Sequence, residues 1–304
     1  MTSQNARIGV TGATGFLGKH LLKRLQDIGF DAIGIARHSS DLSGVKQICK
    51  TIVQAETRSE FDNLFLTFQF DCIVHCSTYF HAVHKAVDIS PMVDGCIGNP
   101  LVLVDSLVTN SPKTIFINTG SSWQHYNDGA GREPTCLHSA LKSAFDEVLL
   151  YFAKAENLQV HTIKLFDTYG PLDPRPKLVN LVLDSIKKRE KLGLSPGNQL
   201  IDIVHIHDVV DAYVCLISLA LGTKMENLQT FGVSSGREVP LKQLVEEICL
   251  AVDGDFSLFE WGERQYRPRE VMRNWRSGLL PVPNWTPKIG FAEGIAGLLQ
   301  AEEK

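Results

Sequence analysis

Apolar positions along the chain follow two periods. Blocks at residues 7–10, 31–36, 70–76, 113–118 and 161–166 are mostly apolar throughout, the pattern of short strands covered on both faces. Between them apolar residues recur three and four apart. Phe16, Leu17, Leu21, Leu22, Leu25 and Ile28 form one such stripe, with Gly29 placed to end the helix, and residues 100–108 form a second. Leu141, Phe145, Val148, Leu149 and Phe152 form a third within residues 137–155. Strands alternating with helices predict an α/β fold around a doubly wound parallel sheet. After Phe166 the texture changes. Residues 167–176 are proline-rich, a helix is expected over 178–188, and the chain returns through 202–206 into a helix from Asp208.

The first strand runs into Thr11-Gly12-Ala13-Thr14-Gly15-Phe16-Leu17-Gly18, and the helix follows at once. A strand, a glycine-rich turn and a helix N-terminus make an opening for a dinucleotide pyrophosphate. Gly12 allows the tight turn, Gly15 the approach of a phosphate, and Gly18 the close packing of helix on strand. The expected division is a Rossmann-like nucleotide domain over 1–166, with return segments near 202–221 and 229–235. A smaller C-terminal substrate lobe is formed mainly by 167–304. The second strand ends at Ala36-Arg37-His38-Ser39, where the adenosine ribose should lie. No carboxylate stands at Ala36 or Arg37 to hold a 2′-hydroxyl, and a guanidinium beside Ser39 suits a 2′-phosphate. NADP(H) is therefore favoured, with NAD(H) as the alternative.

Composition narrows the classes. The 304 residues suffice for a full core, 44% are hydrophobic and the net charge is −4, which offers no general polyanion surface and argues against nucleic acid. No apolar run of membrane-spanning length and no signal-peptide character are read in the sequence. Seven scattered cysteines, an odd number, suit reduced thiols in a cytoplasmic protein. His81 and His84 have a metal-ligand spacing, but no third ligand is evident nearby, so no metal is expected. Arg264, Arg267, Arg269, Arg273 and Arg276, interleaved with Trp261, Tyr266 and Trp275, fit either recognition of a phosphate and a stacked base or a solvated basic face over buried rings.

The glycine turn, the run from Asp71 to Ser77, the serine-bearing strand end at Ser121-Ser122, and Leu165-Phe166-Asp167-Thr168-Tyr169-Gly170-Pro171 together resemble the extended short-chain dehydrogenase/reductase family acting on nucleotide-linked sugars. Gly197-Asn198-Gln199 followed by Asp202-Ile203-Val204-His205-Ile206-His207-Asp208 is similar too. Within the family, the stretch from Asn118 to Tyr126 and the compact C-terminus are most like 4-keto-hexose reductases of the CDP-abequose and CDP-paratose synthase type. The resemblance implies a Tyr-x-x-x-Lys pair opening the long helix, with a serine or threonine from the preceding strand end. Lys142 is in place, as is Ser121, with Ser122 and Thr119 as register alternatives. His138 stands where the tyrosine belongs. Cys96 and Ile201 replace an asparagine and an arginine of the family pattern.

In the enzymatic readings Ser121 orients the reacting oxygen, Lys142 holds the nicotinamide ribose, and His138 moves the proton. Cofactor contacts are expected at Gly12, Thr14, Gly15, Phe16, Leu17, Gly18, Arg37, Ser39, Cys76, Ser77, Thr119, Lys142 and Phe166. Substrate contacts are expected at Ser122, Tyr126, Thr168 and Arg267. Imidazole exchanges protons near neutrality, but the Lys142 cation favours the neutral ring, which serves as a base or as a weak hydrogen-bond donor. Three readings follow: an NADP(H)-dependent oxidoreductase on a nucleotide-linked keto-sugar, an isomerase, lyase or cyclase using His138 as base, and a non-catalytic NADP(H)-binding sensor or partner subunit. The resemblance also implies a homodimer, paired through the helix near Pro100 and the one carrying Lys142.

Overall fold

The computed structural model describes residues 5–128, 131–223 and 225–302. Strands β1 (Arg7–Thr11), β2 (Asp31–Ala36) and β3 (Thr51–Gln54) alternate with helices α1 (Phe16–Asp27), α2 (Ser43–Lys46) and α3 (Arg58–Phe68). A second run supplies β4 (Cys72–His75), α4 (Ile89–Val93), α5 (Asn99–Asn110), β5 (Ile115–Ser121), α6 (Leu137–Ala155) and β6 (Val160–Leu165). The chain then leaves the sheet through β7 (Asp167–Tyr169), α7 (Leu178–Lys188), β8 (Leu192–Leu194), β9 (Leu200–Ile201) and β10 (Ile203–His205). It returns through α8 (Ile206–Gly222) and β11 (Leu228–Val233), and ends with β12 (Val239–Pro240), α9 (Leu241–Val252), β13 (Phe259–Trp261) and α10 (Phe291–Glu302).

Seven strands pair in the order β11-β6-β5-β4-β1-β2-β3, every neighbour parallel. This is the doubly wound Rossmann arrangement, and its order reverses between β1 and β4. A crevice opens there at the carboxyl ends of the strands. The apolar blocks form these strands because both sheet faces are covered. On one face α1 and α8 bury Leu21, Leu22, Leu25, Val210, Tyr213 and Leu216. On the other, α3, α5 and α6 bury Phe61, Phe65, Leu103, Leu107, Phe145 and Leu149. A third cluster joins α7, α9 and α10 through Val179, Val182, Val245, Ile248 and Ile295. Trp275, Val282 and Trp285, late in the chain, pack back onto the first cluster rather than the third.

Local chemistry sets the boundaries. Helix α1 ends as its glycine predicts: Gly29 takes φ of 93°, its N–H bonds the Gln26 carbonyl, and the Phe30 N–H bonds the Leu25 carbonyl. The helix expected to begin near Pro100 is part of a longer run. From Ala86 to Asn110 the chain is helical throughout, as a 3₁₀ turn, α4, a π segment (Asp94–Gly98) and α5. Pro100 has no N–H for the Cys96 carbonyl, and just before it the Asn99 N–H reaches back five residues to Asp94. By length and composition this run meets the criterion for crossing a membrane, which the sequence reading had not picked out. Here Leu103, Val104 and Leu107 of α5 lie in the core against α3 and the sheet.

Candidate functional site

A cavity of about 490 Å³ follows the carboxyl edge of the sheet from the end of β2 to the proline-rich loop after β7. Its floor is the glycine turn. Gly12 takes φ of 67°, and a Cβ there would lie 2.8 Å from the Ser77 nitrogen, so the neighbouring β4 chain excludes any larger residue. A Cβ at Gly18 would lie 2.1 Å from the Gly12 carbonyl oxygen. Both glycines are thus demanded by backbone packing before any ligand is considered. Thr11 ties the two strand ends together: its hydroxyl lies 2.8 Å from His75 Nδ1 and accepts from the Ser77 N–H at 3.3 Å.

The lining contains Thr14, Gly15, Phe16, Leu17, Arg37, Cys76, Ser77, Thr119, Ser121, Ser122, His138, Lys142, Phe166 and Thr168, as well as Gly12 and Gly18. Three expected residues lie elsewhere. Ser39 is exposed and not on the wall, where Ser40 stands instead. The Tyr126 ring is covered by the Arg269 guanidinium at 4.3 Å, outside the cavity. Arg267 faces a smaller cavity of about 220 Å³ on the other side of Trp123, with His84, Cys136 and Arg269.

The reaction end is built by α6 and the β5 end. In the second half of α6 the buried stripe is apolar, with Phe145, Leu149 and Phe152, but in the first turns the same side carries His138 and Lys142. Lys142 is 4% exposed and donates from Nζ to the Thr119 carbonyl at 2.8 Å. Burial pulls its pKa below the usual lysine value. His138 is 5% exposed, its Nε2 lies 2.9 Å from Thr78 Oγ1, and the Phe80 ring meets it edge-on at 4.9 Å. Burial first, then the Lys142 and Lys177 cations, pull its pKa down to about 3, so the ring is neutral at physiological pH. Burial likewise takes His75 to about 3 and lifts the Cys76 thiol to about 12.

The two serines are not equivalent. Ser121 Oγ accepts the Trp123 N–H at 3.2 Å and caps the 3₁₀ turn Ser122–Gln124. Ser122 is buried on the cavity wall, and its hydroxyl makes no hydrogen bond among the described residues. The Thr119 hydroxyl is taken by Tyr213 at 2.7 Å. Cys96 sits on the π segment with its Sγ 3.5 Å from Thr78 Oγ1.

The cations that line the main cavity are not those of the late arginine cluster. Arg267 is paired with Glu270, Arg269 with Glu133, and Arg276 with the fully buried Asp202, while Arg264 and Arg273 are exposed. Arg175 and Lys177 take the place instead. Arg175 lies over the Phe16 ring at 4.5 Å and bonds Asp173 and Thr168, and Lys177 lies over Phe80 at 4.6 Å. The only sequence signal for them was two basic residues in the proline-rich excursion before α7. Among the described residues no group of three or more His, Cys, Asp or Glu is arranged to hold a metal.

The profile described as the NAD dependent epimerase/dehydratase family matches residues 8–226. CDP-abequose synthase of Salmonella typhimurium is 26% identical over 315 residues, covering 99% of each chain. The CDP-abequose synthase of Yersinia pseudotuberculosis is 27% identical, covering 88% of this chain and 90% of that one. Among solved structures, the UDP-glucose 4-epimerase of Thermotoga maritima with UDP-glucose superposes with TM-score 0.82 at 18% identity, covering 98% of both chains. DesIV, a dTDP-glucose 4,6-dehydratase of Streptomyces venezuelae solved with NAD, gives 0.83 at 16% identity, covering 98% of this chain and 97% of that one. A parallel sheet with a glycine turn at its switch point and a family match over most of its length lead to one conclusion: the chain belongs to the NAD dependent epimerase/dehydratase family, the extended short-chain dehydrogenase/reductases that modify nucleotide sugars.

Proposed function

We propose that the chain is an NADP(H)-dependent oxidoreductase acting on a nucleotide-linked keto-sugar. The observation that carries the reading is the reaction end: a buried, unpaired lysine, a neutral imidazole and an unengaged serine hydroxyl all line the cavity that opens beyond the glycine turn. The cradle suits a dinucleotide, because the glycine turn at the cavity runs straight into the N-terminus of α1 and Lys142 has no carboxylate within 4.0 Å among the described residues. A bound nicotinamide would supply or remove hydride. The residues do the rest: Lys142 holds the ribose, Ser121 and Ser122 border the reacting oxygen, and His138 meets that oxygen at its proton. Ser121 Oγ accepts the Trp123 N–H but keeps its own hydrogen to donate, and the Ser122 hydroxyl makes no hydrogen bond among the described residues, so each has a hydrogen for the contact. Thr168 borders the sugar, with Arg175 and Lys177 as cations for a diphosphate and Arg267 beyond Trp123. The third hydrophobic cluster serves as the substrate lobe.

Arg37 lines the adenosine end and supports NADP(H). One observation favours NAD(H) instead: Glu56 lines the same end, although one of its oxygens is engaged by the His38 N–H at 2.9 Å. Fluorescence titration separates the two. Arg37→Ala is expected to weaken NADPH at least about tenfold, roughly 1.4 kcal/mol, and to leave NADH unchanged. Equal losses, or a loss of NADH binding in Glu56→Gln alone, reverse the assignment. A panel of nucleotide-linked keto-sugars tests the activity itself: substrate conversion with no change in reduced-nicotinamide absorbance would select an isomerase or lyase.

Two further expectations stand as proposals. A homodimer would pair through the outer face of the run from Ala86 to Asn110 and of α6, where Val87, Ile89, Val93 and Tyr151 are exposed. Light scattering reads its mass directly. The seven cysteines are all free thiols, which supports a reducing, cytoplasmic setting.

A further inference from the structure

Among the described residues His138 has one hydrogen-bond partner, and that partner decides what the ring can offer. Nε2 is 2.9 Å from Thr78 Oγ1. Nδ1 makes no hydrogen bond among the described residues, on a side chain that lines the main cavity. A neutral imidazole carries its hydrogen on one nitrogen and a lone pair on the other, so the direction of the Thr78 contact sets the tautomer.

The neighbours of Thr78 favour one direction. Its hydroxyl has a second contact, Cys96 Sγ at 3.5 Å, and that thiol lies 3.8 Å from the Tyr79 carbonyl oxygen. A carbonyl only accepts, so the thiol hydrogen points at Tyr79. Thr78 then has one hydrogen and two acceptors in reach, an imidazole nitrogen at 2.9 Å and a sulfur at 3.5 Å. Nitrogen is the stronger acceptor and the contact to it is the shorter. Should the thiol donate to Thr78 instead, the hydroxyl hydrogen is still left for Nε2. The other tautomer would need the hydroxyl turned towards the weak sulfur acceptor, or out into the cavity that Thr78 also lines, leaving the oxygen to accept from the ring.

We propose that Thr78 holds His138 in the Nδ1–H tautomer, so that the ring presents a fixed hydrogen-bond donor, and not a base, to the oxygen of the ligand at the reaction end. Thr78 is a positioning residue: it acts through the ring. The inference rests on the proposed function for the identity of that oxygen, and it narrows the part played by His138. The imidazole stabilises negative charge on oxygen as a neutral donor. Where a ketone is reduced, the one proton the oxygen needs passes from Nδ1, with Nε2 taking the Thr78 hydroxyl hydrogen and the exposed Thr78 taking one from solvent. A general-base role would need a lone pair at Nδ1, which this tautomer lacks.

Nitrogen-15 spectra of the histidine rings, recorded on the full chain without cofactor, test the assignment. The His138 signals are identified by their loss in His138→Gln. The expected result is a protonated, pyrrole-like Nδ1 and an unprotonated, pyridine-like Nε2. Thr78→Val should shift the ring to a mixture or to Nε2–H, Thr78→Ser should restore Nδ1–H, and Cys96→Ala should leave Nδ1–H in place. An Nε2–H ring in the unaltered protein, or a flip in Cys96→Ala, overturns the proposal. Those two spectra decide the matter even if Thr78→Val does not fold. Titrating the same sample with NADPH reads the cofactor proposal separately, so either can fail without the other.

Discussion

Two lysines, Lys142 on α6 and Lys164 on β6, are buried to the same degree, each being 4% exposed. Their surroundings are opposite. Lys164 has the Asp146 carboxylate at 3.7 Å, His125 Nε2 at 2.8 Å and the Trp275 ring at 5.5 Å. Asp146 is further held by Gln124 Nε2 at 2.8 Å, and Gln124 Oε1 in turn accepts the Ser121 N–H at 2.9 Å. That region is a closed network in which each charge is answered. Lys142 bonds one backbone carbonyl, has no carboxylate within 4.0 Å among the described residues, and adds its field to that of Lys177 at His138. Burial lowers the pKa of both lysines, but for Lys164 the Asp146 charge is the first opposing cause. The difference teaches where the protein leaves charge for an outside group to complete: at the cavity, and not one turn further along the same helix.

The largest expected effect comes from breaking the closed side. Lys164→Met strands the Asp146 carboxylate in the interior and should cost about 3–5 kcal/mol in urea unfolding. Adding Asp146→Leu should recover most of that loss, because the pair as a whole gains little over apolar packing. A single-variant loss below about 1 kcal/mol would erase the distinction between the two lysines.

On the open side the effect moves from stability to binding. Lys142→Met removes an unanswered cation but also the hydrogen bond to the Thr119 carbonyl. These terms oppose each other, so stability should stay within about 1 kcal/mol of the parent. NADPH affinity, read by fluorescence, should fall about a hundredfold, roughly 2.7 kcal/mol. A stability loss as large as that of Lys164→Met, with affinity kept, would reverse the comparison.

The smallest effect is a slope. His138 titrates near 3 in the folded chain and near 6.5 when unfolded, so the unfolded state alone takes up a proton between those values. Stability is therefore full above about pH 6.5 and falls as pH drops, by at most about 1.4 kcal/mol per pH unit for this ring. His75, also lowered to about 3, adds to the same limb. His138→Gln should flatten the fall by about one proton, measured as thermal unfolding between pH 6.5 and 4.5. An unchanged slope would mean that His138 is solvated or protonated in the fold.

Much of the frame was legible before any coordinates. Strand and helix periods, the glycine turn, Gly29 as a helix stop and the Lys142–His138 spacing are local features, and each is found where the pattern puts it. The site was less legible wherever a contact joins distant segments. Arg267 looked like a cavity residue because it stands among aromatics, yet Glu270 and Trp123 hold it in the neighbouring cavity. Tyr126 was expected to touch substrate, and Arg269 covers its ring outside the cavity. Ser39 and Ser40 differ only in which way a turn presents them. Arg175 and Lys177 carry no local mark, since their place at the cavity depends on how a proline-rich loop crosses the sheet edge.

By itself, then, the amino-acid sequence determined the doubly wound sheet, the glycine turn at its switch point and the placing of His138 and Lys142 one turn apart on the long helix. All of these are set by local periodicity or by steric limits on single residues. Only the tertiary structure decided that the imidazole is neutral and bonded to Thr78, that Ser121 Oγ accepts a backbone N–H while the Ser122 hydroxyl makes no hydrogen bond among the described residues, and that Lys142 lacks the carboxylate Lys164 enjoys. Protonation, hydrogen-bond direction and charge balance depend on burial and on partners brought in from other elements, Thr78 lying sixty residues from His138 and Asp146 on a different element from Lys164, and no spacing along the chain encodes those distances.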